Sequence, residues 1–467
     1  MPEPIVLFYL SQPFLMAIGL AVAIALAGGA VIGWPVVPLG AYLAVFFVFP
    51  QSNYGSLDVF MANPIYARGS GRLFYPALSW ALLVAVAWSA LGRRFAQSPP
   101  LPPSPVQRWL WLWAALLAVH LAVGLTLDVE ARHILDSHGF AQVVWMLPLV
   151  MLMQMAARDE QLLHRLLQLL VWAALLKAAF GLVRWGFFGG DPSNAYQNLG
   201  RLDVKLTYFD ICDALVCLLG GAAAAAMLLG PREQRGSVAW QLLCGLTVLA
   251  VLACIGLSHR RTAWGGLVLA MGYVLARASP PRWRWALLLG LFPLAVAALG
   301  LMASQRLSDQ AGPARGLAGF FFDLIGSRVG PESTRLLELR LAWAAWLESP
   351  VVGLGAWGRF ANAHLIPWQI HAGGTFLHSG VLHLLMKAGV VGGLLLAGLA
   401  WGYLRESRAA ARQAGPAGRV WLLVSACGLL FMLPDMLFGT PVPQLRTMQL
   451  LALCLGVPAL VAATRAR

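Results

Sequence analysis

Charge is scarce in this sequence. Only 11% of its 467 residues are Asp, Glu, Lys or Arg, where a soluble domain carries roughly 25%. That excludes an ordinary soluble enzyme, and a 60% hydrophobic content excludes a disordered chain. Acids are the scarcer sign, 19 against 33 bases, so the net charge is +14. Such an excess fits nucleic acid only where basic clusters lie on a polar surface. This chain has little polar surface, so no nucleic-acid partner is expected. The six cysteines (Cys212, Cys217, Cys244, Cys254, Cys427 and Cys454) all lie in apolar stretches, which argues against a disulfide framework or a thiolate metal site. Short alternating segments are lacking, which excludes a membrane barrel. The first apolar run has no basic leader and no clean cleavage site, so it does not read as a cleaved signal peptide.

Long apolar runs are what the chain has in abundance, with a mean hydropathy of +0.73. A helical span needs roughly 20 mostly apolar residues. Candidates lie near 14–33, 36–50, 74–92, 109–127, 139–157, 166–187, 207–230, 238–258, 262–278, 285–303, 381–403, 420–439 and 447–463. Gly28-Gly29 and Pro35 interrupt the first two, which form either two spans or one broken element. The expectation is an all-α polytopic integral membrane protein, about 12–13 transmembrane helices by the span-length rule, forming one membrane domain over 1–467. Gly220–Ala226 (GGAAAAA) reads as a close-packing helix face. Ser98–Pro105 (SPPLPPSP) reads as a short stiff linker.

Orientation follows the basic connections. Arg93-Arg94 to Arg108, Arg158 to Arg165, Arg232 to Arg235, Arg277 to Arg284, Arg405 to Arg419 and the tail with Arg465 and Arg467 alternate with the other loops. This set is assigned to the cytoplasm. It holds sixteen of the thirty arginines and four acids, a net +12, and leaves the rest of the chain at only +2. Most of the positive excess therefore sets orientation. The opposite side receives the loops near 51–72, 128–138, 188–206, 259–261, 304–380 and 440–446, of which 304–380 is by far the longest.

Three places on that outer side carry possible chemistry. Ser258-His259-Arg260-Arg261-Thr262-Ala263-Trp264 puts two cations and a histidine between apolar runs, where ionisable residues are costly. A guanidinium suits an anionic oxygen ligand through two parallel bonds; the bland alternative is interfacial anchoring. Arg201 lies in Asn198–Lys205, before a span that begins with Asp210 and Asp213. Those acids would hold arginines in place or simply neutralise them. The long loop contains Pro331–Glu348, with Leu336, Leu339, Trp343, Trp346 and Leu347 at helical spacing. An interfacial helix is expected there, with Trp343 and Trp346 on one face and Arg335 and Glu338 three apart on another. Ser349-Pro350 ends it, and Gly353, Gly355 and Gly358 follow in an expected flexible turn.

Four histidines follow: His364, His371, His378 and His383. Their spacing fits no common zinc site, and no metal or cofactor is expected. His383 falls inside an apolar run and reads as a packed helix residue. His378 sits at the junction of loop and membrane, where it would act as a general base.

At these residues the sequence resembles the superfamily of bacterial O-antigen ligases, O-antigen polymerases and protein O-oligosaccharyltransferases. The ligase pattern is His, then Asn, Ser or Gln, nine residues, Gly, two residues, then Gly, Thr or Tyr. Here His378-Ser379 precedes nine residues, Gly389, Val390-Val391 and Gly392. Upstream, an Arg, a Trp-bearing helix and Pro-x-x-Gly-x-Gly correspond to Arg335, Trp343, Pro350, Gly353 and Gly355. Arg261, within Arg260-Arg261-Thr262-Ala263-Trp264, aligns with the family's essential arginine, and Arg201 with an arginine of the preceding periplasmic loop. Departures are Arg260 where the family has Ser, Phe209–Asp213 where it has an Asn-Pro-Asn stretch, and Lys387 where polymerase-like members often carry an acid.

The resemblance implies a metal-independent, inverting glycosyltransferase of the bacterial inner membrane, with its site on the periplasmic face. Its donor would be a glycan on undecaprenyl diphosphate, and its acceptor a hydroxyl of lipid A-core. His378 would be the catalytic base, and Arg201, Arg260, Arg261 and Arg335 would bind diphosphate, with Arg261 also counted as catalytic. The alternatives within the family are a polymerase joining lipid-linked repeats and a protein O-oligosaccharyltransferase. A transporter or flippase would need charges near mid-membrane. Lys177 is the one mid-span cation in the span reading above, and the notable charges cluster at one face.

Overall fold

The computed structural model describes residues 34–51, 66, 75–157, 159–194, 204–230, 235–278, 290, 331–370 and 372–465. The expected spans 14–33 and 285–303, residues 304–330 of the long loop, Arg158, Arg201 and His371 lie outside the described residues. All regular structure among the described residues is helical. In chain order the helices are α1 Val36–Val48, α2 Ala77–Phe95, α3 Pro105–Thr126, α4 Ala131–Ile134, α5 Ala141–Val144, α6 Met146–Ala156, α7 Glu160–Phe187, α8 Ile211–Leu229, α9 Val238–Gly256, α10 Arg261–Ala278, α11 Pro331–Glu348, α12 Gly380–Gln413, α13 Pro416–Phe438 and α14 Leu445–Arg465. Seven of them (α3, α7, α8, α9, α12, α13 and α14) are long and apolar enough to cross a membrane. The chain is a polytopic membrane protein, and each expected span that falls on described residues coincides with a helix or, at 139–157, with the pair α5–α6 broken at Trp145.

α8 and α14 form the buried centre of the bundle. Small residues explain how tightly α8 is held. A Cβ on Gly220 would meet the Ala174 side chain at 2.3 Å and the Leu170 carbonyl at 2.5 Å, and one on Gly221 would meet Val251 at 2.9 Å. The Gly-Ala run therefore packs α7 on one side and α9 on the other, the close approach small residues permit in membranes. Gly266 does the same for α10, where a Cβ would fall 2.1 Å from the Phe431 carbonyl of α13.

The bundle has two chemically distinct ends. At one, Ser104 caps α3, Glu406 near the end of α12 accepts from Ser104 Oγ (2.9 Å) and Val106 N (3.2 Å), and Glu160 accepts from Ala417 N (2.6 Å) and Gly418 N (3.1 Å). The Pro-rich linker is pinned there too, Pro102 O accepting from Gln154 Nε2 at 2.7 Å. This end gathers the connections 96–104, 157–160 and 414–415. The opposite end gathers the polar groups described next.

Candidate active site

Glu338 faces inward from α11, in register with Ala342 and Ala345 one and two turns on. All three are buried, and the two alanines belong to an apolar cluster with Phe360, Ile366, Leu377 and Met386. The alanines let the helix sit close, and the carboxylate is thereby placed in an apolar setting. A buried carboxylate is costly unless its oxygens are used, and both are. Oε1 accepts from Gln369 Nε2 at 2.7 Å. Oε2 accepts from the His378 backbone N–H at 3.2 Å and lies 2.8 Å from His378 Nδ1. Gln369 extends the network by donating to Phe376 O (2.7 Å) and accepting from Gly374 N (3.2 Å). Segment 369–378 thus hangs from one glutamate. The His378 side chain keeps 20% of its surface exposed while Glu338 keeps none. The sequence placed Glu338 beside Arg335 and did not connect it with His378; a carboxylate in register with alanines one and two turns on was the available signal.

The motif residues after His378 each have a physical reason. Ser379 is the N-cap of α12, accepting from Leu382 N at 3.3 Å, which is why Asn and Ser suit that place. His383 is buried and bonds Gly139 O through Nε2 at 2.9 Å, as a packed helix residue should. Gly389 breaks the helix, with φ +61° and ψ −159°. The amides and carbonyls freed by the break are taken by the Pro-x-x-Gly-x-Gly segment. Val390 N donates to Pro350 O (2.8 Å), Val391 N to Val351 O (3.1 Å), and Leu354 N to Met386 O (2.8 Å). The turn expected to be flexible at Gly353 is instead a fixed joint. Its fixity follows from backbone contact that no side-chain pattern announces.

A second group lies where α10 begins. Arg260 reaches two elements at once: it donates to Phe209 O, stacks over the Phe209 ring at 5.2 Å, and places Nη2 3.7 Å from Asp435 Oδ1 on α13. Thr262 and Arg335 of α11 both lie within electrostatic range of the same carboxylate. Arg261 is the first residue of α10. So the structure brings Arg260, Arg261 and Arg335 to one end of the bundle with His378, while Arg201 is outside the described residues. Asp435 was not anticipated; a lone acid inside the apolar run 420–439 was the signal.

Beneath this end runs a buried charge network. Arg446 is fully buried, with Nη1 2.8 Å from Asp210 Oδ2, Nη2 2.6 Å from Asp213 Oδ1 and Nε donating to Phe46 O at 2.8 Å. Lys177 Nζ lies 2.7 Å from Asp213 Oδ1. Asp210 and Asp213 therefore do hold an arginine in place, and it is Arg446. Asp210 also caps α8 through Cys212 N at 2.9 Å. Burial raises the Tyr66 phenol above its usual range, so it stays a neutral donor to Phe49 O at 2.9 Å beside this network.

Beside His378, an open apolar cavity of about 460 Å³ lies between α11 and α12, lined by Leu339, Trp343, Leu382, Leu385, Leu437 and the cap Ser379. Trp343, Leu347, Val351 and Val352 continue it as an exposed apolar strip.

The segment holding α10, α11, the joint and His378 can be compared with known families. Residues 246–397 match the O-antigen ligase family. The matched segment begins in α9 and ends in α12, so it covers the second arginine group, Glu338 and the His378 motif. The match supports a membrane glycosyltransferase of the O-antigen ligase and polymerase type, working on lipid-linked glycans and glycan acceptors. No curated protein matches the chain.

Proposed function

We propose that the protein transfers a glycan from undecaprenyl diphosphate to an acceptor hydroxyl at the periplasmic face of the bacterial inner membrane, with inversion and without a metal, the acceptor being lipid A-core. The observation that carries the reading is the His378–Glu338 pair. With Nδ1 donating to a buried carboxylate, Nε2 holds the lone pair that accepts the acceptor hydroxyl proton, and Glu338 stabilises the imidazolium that results. The acceptor oxygen then bonds the anomeric carbon as the bond to the diphosphate oxygen breaks on the opposite side. The electron pair leaves on the diphosphate, where charge develops. Fixed guanidinium donors lower such a barrier, and Arg261, Arg260 and Arg335 are assigned to it. Arg201 is assigned the same role from its position in the sequence. The apolar cavity and strip beside His378 suit the polyprenyl tail, with α11 as the wall of a lateral entrance.

The sidedness of the bundle favours this orientation. Among the described residues, the connections 96–104 and 414–415, flanked by Arg93, Arg94, Arg108, Arg412 and Arg419, share one end and the site lies at the other, as the positive-inside rule expects for an outward-facing site. Ligase and polymerase share the donor and differ in acceptor. The surface glycan of a deletion strain tests the choice: polymer left on the carrier with a bare core is the ligase result. A single repeat on the core would instead mean a polymerase, and normal polymer on the core would contradict both.

A further inference from the structure

On the far side of Phe376 from His378 lies a second, polar cavity of about 210 Å³, between the 128–139 connection and the 355–375 loop. It is smaller than the roughly 300–1,000 Å³ of a drug-sized site, so it suits one substituent rather than an oligosaccharide. Lys387, Arg359, His133, His138, Asp136 and Trp357 line it. Lys387, which stands where polymerase-like relatives often carry an acid, is a second cation inside an apolar run. It is 1% exposed, and its ammonium donates to Gly358 O. An ammonium has three donors and this carbonyl takes one.

The acid in the pocket is engaged in shaping its own turn. Asp136 Oδ1 accepts from His138 N at 2.8 Å and lies 3.3 Å from His138 Nδ1. Arg359 brings a fixed positive charge to the pocket, and an anion bound beside Lys387 would favour its protonated form. Burying a cation at a membrane boundary is costly and marks a functional position. A guanidinium fork beside an ammonium matches a phosphate or a carboxylate.

The pocket is joined to the reaction site through aromatic contacts. His138 stacks on Phe376 at 5.8 Å, and Phe376 meets His378 edge-on at 5.8 Å. We propose that this cavity binds an anionic substituent, a phosphate or a carboxylate, of the acceptor glycan, and so presents the acceptor hydroxyl to His378. Binding energy from such a remote group is available to orient the reacting one. The anion site stands on the pocket alone; the word acceptor rests on the glycosyl transfer proposed above.

The two parts are tested separately. Equilibrium dialysis of radiolabelled inorganic phosphate against the full-length protein in detergent should show binding. Arg359→Gln, at an exposed position, should weaken it about tenfold or more, the loss of a charge-assisted bond. Binding lost in Arg261→Ala but untouched in Arg359→Gln, or no binding by the wild type, overturns the site and leaves Lys387 as a loop staple. Displacement of the label by glucose 6-phosphate or by glucuronate identifies which substituent is taken. In transfer assays with two acceptors differing only in that substituent, the wild type should favour the charged one, and Arg359→Gln should bring the kcat/KM ratio towards one. An unchanged ratio overturns the acceptor assignment. Phosphate binding without any glycosyl transfer would sink the proposed reaction and leave the anion site standing.

Discussion

Gly353 and Gly389 are reciprocally indispensable: a Cβ on either would fall 2.5–2.6 Å from the backbone nitrogen of the other. Both have positive φ, +75° and +61°. The two glycines belong to separate motifs thirty-six residues apart, and they form one joint that locks the loop carrying Pro350 into the break of α12. The break lies ten residues after the N-cap Ser379, so the joint fixes the direction in which the His378 end of α12 points.

Gly389→Ala would place a methyl 2.2 Å from Val351 O at an unfavourable φ. The strain alone costs roughly 1–3 kcal/mol, and the clash adds to it. Thermal unfolding in detergent should show a clearly lowered Tm. Gly245→Ala in α9 has open space around the new methyl and should be neutral or stabilising by about 0.5–1 kcal/mol. Equal behaviour of the two variants would contradict the joint.

Arg446→Met leaves Asp210 and Asp213 buried with their main cation gone. Removing one partner of a buried pair costs about 3–5 kcal/mol. Lys177→Met should cost less, because Arg446 still satisfies Asp213. Folded yield and unfolding temperature of the two variants rank them directly.

Arg335 is exposed on α11, so Arg335→Ala should leave unfolding unchanged. Loss of one preorganised donor to developing charge typically costs 10²–10³ in rate, and a fall of about that size in transfer kcat is expected. Steady-state kinetics with saturating donor read it. Full activity would remove Arg335 from the site.

Trp343 is half-exposed and lines the apolar cavity. Trp343→Ala removes apolar surface worth about 25 cal/mol per Å² of contact. It should raise KM for a donor with a long prenyl chain several-fold and do little for a short-chain analogue. KM values for the two donors separate this from a general loss of activity.

Much of the fold was legible because membrane helices write themselves as long apolar runs. The Gly-Ala face of α8 was legible for a related reason, since small residues have few other uses in such a run. The arginine group and His378 were legible because charge is rare enough here that each instance counts. What escaped was long-range partnership. Arg446 meets Asp210 and Asp213 more than 230 positions away, and Glu338 meets His378 forty positions away. Spacing along one helix made Arg335 the obvious partner of Glu338, whereas the register with Ala342 and Ala345 turns the carboxylate inward. Lys387 stood out only as a departure from the family pattern, because the pocket it lines is created by two distant loops.

The central claim is that His378, held by Glu338, takes the acceptor proton. The most direct measurement is single-turnover glycan transfer by the purified protein in liposomes, comparing wild type with His378→Ala and Glu338→Gln. The account predicts a fall of roughly 10²–10⁴ for His378→Ala, the range for loss of a general base. A smaller fall is predicted for Glu338→Gln, which acts by misplacing the histidine, with donor binding retained in both. Transfer by His378→Ala at the wild-type rate would contradict it.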